Sequence, residues 1–481
     1  MEFKKDRISI KTKINYGLGG FGLQLTTGLF AAWTLTYYIK IVGIDPLLWS
    51  LAWLIYFGWN AINDPLFGFL SDHTKTRYGR RIPYLMVCSP LLSLFFILLY
   101  FTPLESDQWG FFLWLLFTLI SYDSFFTIVA LCYNSLLSEL TIEPEERVKL
   151  NLFAGTGVGL GVGITYVLPL LLIQNVQPYS QNRLMFQTIV IVLAILGAIF
   201  LAFAAFGIKE RPELLPEKEE NLALWDSIKY TFKNKSFITF VIFNFTITYV
   251  VSALLSNFPF FIQDVLNVSG DTLLSSLPLI LFVIFSTVGL PLGFFLNKKY
   301  GNKRTVFLLS IMVVLGLIIV TFTENMILVN ISFVIIGLSF SGISLLIFTL
   351  LADIVDEDEL NTGVRREGMY FGTNALVTKP AQSVSAAISG LVFYLTAYNQ
   401  NLGPGGSQPE SAIFGIKLLI GLIPALFILI GMIFLWYYPL EGQSKEYWEM
   451  KNKVKVLHEK KLLRCRERLA CLGNENQNID D

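Results

Sequence analysis

The chain alternates long apolar blocks with short polar ones. Mostly apolar blocks fall at about 14–43, 47–71, 83–102, 109–137, 150–174, 185–208, 236–264, 271–297, 304–323, 325–352, 369–396 and 412–439. A helix needs about 20 such residues to cross the hydrocarbon of a bilayer, so each block predicts one spanning helix. The least distinct boundary is the ninth–tenth junction at Glu324 and Asn325. The one long charged break is 209–235, which divides the pattern into two sets of six. The expected organisation is a six-helix bundle over 1–208, a linker over 209–235, a second six-helix bundle over 236–440 and a tail over 441–481.

A weak internal repeat supports this division. Gly68–Phe–Leu–Ser–Asp72 followed by Arg77–Tyr–Gly79–Arg80–Arg81 resembles Gly293–Phe–Phe–Leu–Asn297 followed by Tyr300–Gly301–Asn–Lys303–Arg304. Equivalent loops after the second and eighth blocks predict two pseudo-symmetric bundles, the parallel repeat of the major facilitator fold. The fifth block carries glycine at alternate positions from Gly155 to Gly163. Such small residues predict close helix packing, with bending as the other reading.

Charge orients the chain. Lys and Arg concentrate before the first block, between the second and third, in the 209–235 linker, after the eighth and after the tenth, whereas 103–108, 265–270 and 397–411 hold almost none. By the positive-inside rule both termini and the linker are expected on the cytoplasmic side, which requires an even number of spans. The composition is 54% hydrophobic and 15% charged with net charge +0, and the mean hydropathy is +0.59. That excludes an ordinary soluble domain and argues against nucleic-acid binding. The four cysteines, Cys88, Cys132, Cys465 and Cys471, form neither a metal-ligand spacing nor a disulfide framework. The polar N-terminal stretch before the first block argues against a cleaved leader.

Three charged residues interrupt apolar blocks: Asp64 in the second, Asp123 in the fourth and Lys379 in the eleventh. An ionisable group at bilayer depth costs roughly 2.5–3.5 kcal/mol on insertion scales, so it usually faces a bundle interior and marks a transport path. Asn60 and Asp64 are four residues apart and share a helix face, with Asn63 beside them. A carboxylate with amide oxygens suits a small hard cation, and the same carboxylate suits a coupling proton if burial raises its affinity for one. Lys379 is expected to neutralise a carboxylate across the cleft until a cation competes. A fixed structural ion pair is the bland alternative, although two acids against one base leave one carboxylate over.

Other polar groups carry less. Asp72 with Arg77, Arg80 and Arg81 predicts a charge cluster at an inner gate. The acidic run from Asp353 to Glu359, with Arg365, Arg366 and Glu367, lacks calcium-loop spacing and is expected to form a water-facing gate network rather than a metal site. His73 and His458 lie in a loop and the tail, unsuited to a proton relay, and Asn267–Val–Ser269 is a bare glycosylation triplet in an outward loop. The basic, amphipathic tail is expected to be solvated rather than to lie on the membrane.

Four segments together resemble the glycoside–pentoside–hexuronide:cation symporters of the major facilitator superfamily. They are Tyr16–Gly–Leu–Gly–Gly–Phe–Gly22, Asn60–Ala–Ile–Asn–Asp–Pro65, Gly79–Arg–Arg–Ile–Pro–Tyr84 and Arg365–Arg–Glu–Gly–Met–Tyr370. The resemblance spans roughly 10–440. It implies a cation site at Asn63, Asp64 and Asp123, with Lys379 as the family's lysine of the eleventh span and a sugar site alongside. Two positions depart from the family pattern. Asn60 replaces its first carboxylate of the second span, and Gln24 replaces its sugar-binding aspartate of the first. Losing an acid favours protons, or a sodium site of lower charge.

The expectation is an all-α membrane protein of twelve helices acting as a monomer in the plasma membrane, without cofactor or metal and without enzymatic activity. A proton or sodium ion would bind at Asp64 with Asn60, Asn63 and Asp123, and a sugar-like solute would meet Gln24, Trp59, Tyr122, Asp123 and Lys379. The rivals are a sodium-dependent lysophospholipid transporter, which the family also resembles, an uncoupled facilitator or flippase, and a receptor that uses the fold without flux.

Overall fold

The computed structural model describes residues 8–457 apart from 73, 75, 77–78, 104–105, 142–143, 174–178, 211–228, 269–271, 364–365, 401, 403–406 and 442–443. Twelve membrane-length segments appear among the described residues. The first six are α1 (Ile10–Thr36, closed by a π-helical turn Tyr37–Val42), α2 (Pro46–Asp72), α3 (Ile82–Tyr100), α4 (Gln108–Leu140), α5 (Pro144–Ile173) and α6 (Tyr179–Gly207). The second six are α7 (Lys235–Phe260, closed by a π-helical turn Phe261–Val265), α8 (Thr272–Val288 and Leu290–Tyr300), α9 (Asn302–Phe322), α10 (Met326–Thr362), α11 (Glu367–Thr378 and Pro380–Leu395) and α12 (Glu410–Lys417, Leu418–Leu422 and Ile423–Trp436).

Eight of these helices are long and apolar enough to span a bilayer, and the two pieces of α8, bent by 47°, make a ninth. The remaining three, α1, α2 and α11, are diluted by glycine, threonine, amides and charge. They are also the helices that carry Gln24, Asn60 to Asp64, and Lys379. The ninth–tenth junction is real: α9 stops at Phe322, and Asn325 caps α10 by accepting from the Ile327 N–H at 2.9 Å.

The internal repeat is legible in the backbone. Gly79 after α2 has φ +107° and Gly301 after α8 has φ +81°, a region that L side chains enter at a cost and glycine enters freely. Helices α1 to α6 pack on one another, α7 to α12 do likewise, and the halves meet through α2 on α11, α5 on α8 and α1 on α7. If α1 matches α7, then α2 on α11 and α8 on α5 are the same contact seen from either half. The alternate glycines of α5 divide by face. A Cβ on Gly157 would sit 2.3 Å from the Gly17 carbonyl and one on Gly161 would meet Gln24, whereas Gly155, Gly159 and Gly163 border open space. The packing reading therefore applies to one stripe, against α1.

The first and last described segments lie on one face of the bundle, called here the terminal face, and the other is the far face. At the terminal face Glu146 of α5 receives Lys13 at 2.6 Å and Lys149 at 2.8 Å. Hydrogen bonds from these two lysines hold its carboxyl down at about 2.

Two expectations change at this face. The segment 445–457, expected to be solvated, is a helix (α13) docked on α10. Lys451 lies 2.6 Å from Asp353 and 2.7 Å from Asp356, and the Tyr447 hydroxyl donates to Asp353 at 3.0 Å. The acidic run does not simply face water either, since Asp353, Asp358 and Glu359 are all buried. A buried carboxylate needs a partner, and the tail supplies Asp353 with two, while Asn302 donates a third contact at 2.9 Å. The tail beyond 457, with His458, Cys465 and Cys471, lies outside the described residues, as do His73 and Ser269.

Candidate functional site

The three intramembrane charges converge. Lys379 stands at the break in α11, where Pro380 supplies no N–H and interrupts the helical ladder. Its ammonium pairs with Asp64 of α2, across the boundary between the halves, and donates to the Thr127 hydroxyl at 3.3 Å. The Phe126 ring lies 5.9 Å from the same nitrogen. Asp123 and Thr127 are one turn apart on α4, so both face α2. The Asn63 amide donates to Asp123 and, at 3.1 Å, to Thr127. The Tyr56 hydroxyl lies close to Asp123 as well. Asn63 is fully buried, and its carbonyl oxygen accepts no hydrogen bond from the described residues. The cluster therefore holds two carboxylates, one ammonium and one spare amide oxygen.

Asn60 points elsewhere. Its amide donates to the Lys379 carbonyl at 3.4 Å and to the Ser383 hydroxyl at 3.5 Å, which ties α2 to the broken stretch of α11. The Gln382 N–H also reaches that carbonyl, at 3.2 Å.

Beside the cluster, between the halves, lies a cavity of about 330 Å³. Helix α7 lines it with the stripe Asn244, Ile247, Thr248, Val251, Ser252 and Leu255, and α10 with Phe340, Ser344, Ile347, Phe348 and Leu351. Asn374 and Gln382 of α11 complete that side, while the first half adds Ala31 and Tyr166.

The family model of MFS/sugar transport proteins matches residues 15–442. The chain belongs to this family. A symporter of Bacillus subtilis, itself uncharacterized, is 27% identical over 455 residues, covering 91% of this chain and 94% of that one. The sodium-dependent lysophosphatidylcholine symporter 1 of mouse is 24% identical over 491 residues, covering 95% and 90%. Among solved structures, a D-xylose–proton symporter superposes with a TM-score of 0.66 at 14% identity, covering 90% and 98%, a likeness of fold. The protein is thus an integral membrane transporter of the major facilitator fold, and not an enzyme.

In this transporter the sequence-predicted solute residues are dispersed. Gln24 is half-buried against Gly161 on the α1–α5 contact. Trp59 donates its indole N–H to Ser124 at 3.2 Å. Tyr122 is buried in the first bundle, its ring 4.7 Å from Phe30 and stacked on Phe126 at 6.2 Å. None of the three is among the described residues lining the cavity. Of the three amides that do line it, Asn244, Asn374 and Gln382, the first two were not singled out from sequence. Lone amides in apolar spans are the signal that would have found them, whereas Asn60 and Asn63 stood out because they lie beside Asp64.

The described gate residues Arg80, Arg81 and Arg366 meet the linker between the halves. Glu210 accepts from the backbone N–H groups of Arg80, Arg81 and Ile82 at 2.7, 2.7 and 2.6 Å. The buried Arg81 side chain donates to Ser71, and the Arg366 guanidinium lies 4.5 Å from the centre of the Tyr230 ring. Arg77 and Arg365 lie outside the described residues, as does the side chain of Asp72.

A second ion pair, not read from sequence, joins the halves at the far face. Lys40, on the π-helical turn of α1, meets Asp264, on that of α7, at 2.8 Å. Lys40 also donates to Gln263 at 2.8 Å, and Tyr398 donates to Asp264 at 2.8 Å. Nearby, the Trp49 indole donates to the Ala386 carbonyl at 3.0 Å, and Ser50 to that of Ala387 at 2.9 Å.

Proposed function

We propose that the protein is a cation-coupled symporter that carries a sugar-like solute by alternating access, as a monomer, in the cell membrane. On this reading the terminal face is cytoplasmic, in line with the basic loops. The observation that carries it is the Asp64–Lys379 pair spanning the halves beside Asp123. Two carboxylates and one ammonium sum to one negative charge. A proton or sodium ion brings that sum to zero, and reorientation through a dry intermediate is cheapest when no net charge is stranded. The orphan oxygen of Asn63, with the two acids, supplies hard oxygen donors for such an ion. The far-face contacts through Lys40, Asp264, Trp49 and Ser50 support a state closed on that side, one of the two states that alternating access requires.

The names of the relatives support symport, and they divide over the solute. A lysophospholipid is the second reading, favoured by the mouse relative. The cavity favours the smaller solute, because about 330 Å³ is at the low end of ligand pockets, roughly 300–1,000 Å³.

The test is uptake of labelled sugars and a lysophospholipid into proteoliposomes under imposed proton or sodium gradients. A driving force of about 100 mV on one charge is worth ~2.3 kcal/mol, or up to ~50-fold accumulation. Wild type should concentrate one solute toward that limit, and Asp64→Asn should only equilibrate it. Uptake that is equal in both and indifferent to either gradient would leave a facilitator.

A further inference from the structure

The cavity between the halves differs chemically from the charged cluster next to it. Among the described residues that line it, none is charged. Lys379 stands only three residues before Gln382 but is taken up by Asp64 and Thr127. One wall is built of amides: Asn244 of α7 donates to Asn374 of α11 at 2.9 Å, and Gln382 lies two helical turns beyond Asn374. Amides both donate and accept, so this wall suits hydroxyl groups. Another wall is the α10 stripe, where Phe340, Ile347, Phe348 and Leu351 recur at helical spacing around a single hydroxyl, Ser344.

We infer that this second-half subsite takes an uncharged, amphipathic solute, with hydroxyls on the Asn244–Asn374–Gln382 wall and an apolar group on α10. This rests on the cavity being the solute site of the symporter proposed above. A carboxylate or phosphate brought here finds no cation among the described lining residues, and an unpaired charge out of water is strongly disfavoured. A free sugar satisfies the amides and leaves the α10 stripe unused.

The experiment is equilibrium binding to the full-length protein in nanodiscs, with saturating sodium, fixed pH and no gradient. The neutral amphipathic probes are 4-nitrophenyl glycosides of glucose, galactose and xylose, together with uridine and adenosine. The comparators are the parent sugars, 4-nitrophenyl glucuronide and lysophosphatidylcholine. At least one neutral amphipath should bind ~10-fold or more tightly than its parent sugar, a factor of the size expected for burying one aromatic group. It should also bind tighter than the glucuronide. Asn374→Ala should weaken that probe and its parent sugar together. Phe348→Ala should narrow the gap between them and leave the parent sugar unchanged, and unaltered melting temperatures show that both variants fold. Preference for the glucuronide or the lysophospholipid overturns the inference, as does failure of every neutral amphipath. Because binding is read without a gradient, failure of coupling leaves this order of affinities intact. Gradient-driven uptake of the glucuronide would retain symport and discard the subsite.

Discussion

The two ion pairs that join the halves are built on different plans. At the far face, Lys40 and Asp264 are one base and one acid, with side chains 13% and 14% exposed. Three neighbours complete them: Gln263 accepts from the ammonium, the Phe260 ring lies 4.9 Å from it, and Tyr398 donates to the carboxylate. They also occupy equivalent places, each on a π-helical turn and three residues before a left-handed one, Gly43 at φ +76° and Asn267 at φ +49°. At mid-membrane, Lys379 faces Asp64 with Asp123 close by, so the acids outnumber the base. A balanced, fully bonded pair has nothing to gain from a cation, whereas an unbalanced one does. The first pair is suited to hold a state, and the second to sense an ion.

The sharpest break in this comparison is Lys379→Met. It strands Asp64 and Asp123 without a base, and removing one partner of a buried pair costs roughly 3–5 kcal/mol. Partial exposure of Lys379, at 27%, places the loss at the lower end. The expected result is a marked fall in melting temperature and no accumulation. The double variant Asp64→Asn with Lys379→Met should recover most of the melting temperature while accumulation stays absent. Recovery of both would make the central pair structural and erase its difference from the far-face pair.

The far-face pair predicts a shift of state rather than a loss of coupling. Lys40→Ala leaves Asp264 with Tyr398 alone. A hydrogen bond to a charged group is worth about 1.5–3 kcal/mol, and ~2 kcal/mol moves a two-state ratio by ~30-fold. A cysteine placed at Ser252 in the cavity should then react faster with an impermeant maleimide added on the far-face side. The exchange Lys40→Asp with Asp264→Lys should slow labelling again, because the two positions are equivalent. Labelling equally fast in wild type and Lys40→Ala would show that this pair does not hold the face closed.

The difference between the pairs also marks what was legible in the sequence. Twelve blocks, the midpoint break and the Gly79/Gly301 repeat are local patterns, and the bilayer makes them strict. Asp64, Asp123 and Lys379 stood out because a charge inside an apolar block is costly wherever it points. Lys40 and Asp264 lie near helix ends, where a charged side chain commonly reaches water, and their pairing joins residues 224 apart in sequence. No local pattern encodes it. The same holds for the cavity, whose amides are uncharged and whose apolar stripes read like lipid-facing or core positions. Gln24, Trp59 and Tyr122 were singled out by analogy and by residue type. Which way each side chain turns is settled by the packing of neighbouring helices.

The smallest expected effect separates the tail from both pairs. Lys451 is partly desolvated, which works against its charge, yet Asp353 and Asp356 outweigh that and hold its ammonium above the ordinary lysine range. A lysine raised in this way contributes fully below its ordinary value, about 10.4, so docking of α13 should not change across neutral pH. Lys451→Ala should free α13, seen as faster proteolysis after residue 444; because the departing tail opens Asp353 to water instead of stranding it, stability should fall by only about 1 kcal/mol, near the centre of the range for point substitutions. Accumulation should remain near wild type, since neither pair between the halves is touched. A loss of accumulation as large as that of Asp64→Asn would instead make the α13–α10 contact part of the transport cycle. The buried Asp353, and not only the mid-membrane acids, would then be a group whose charge state the cycle reads.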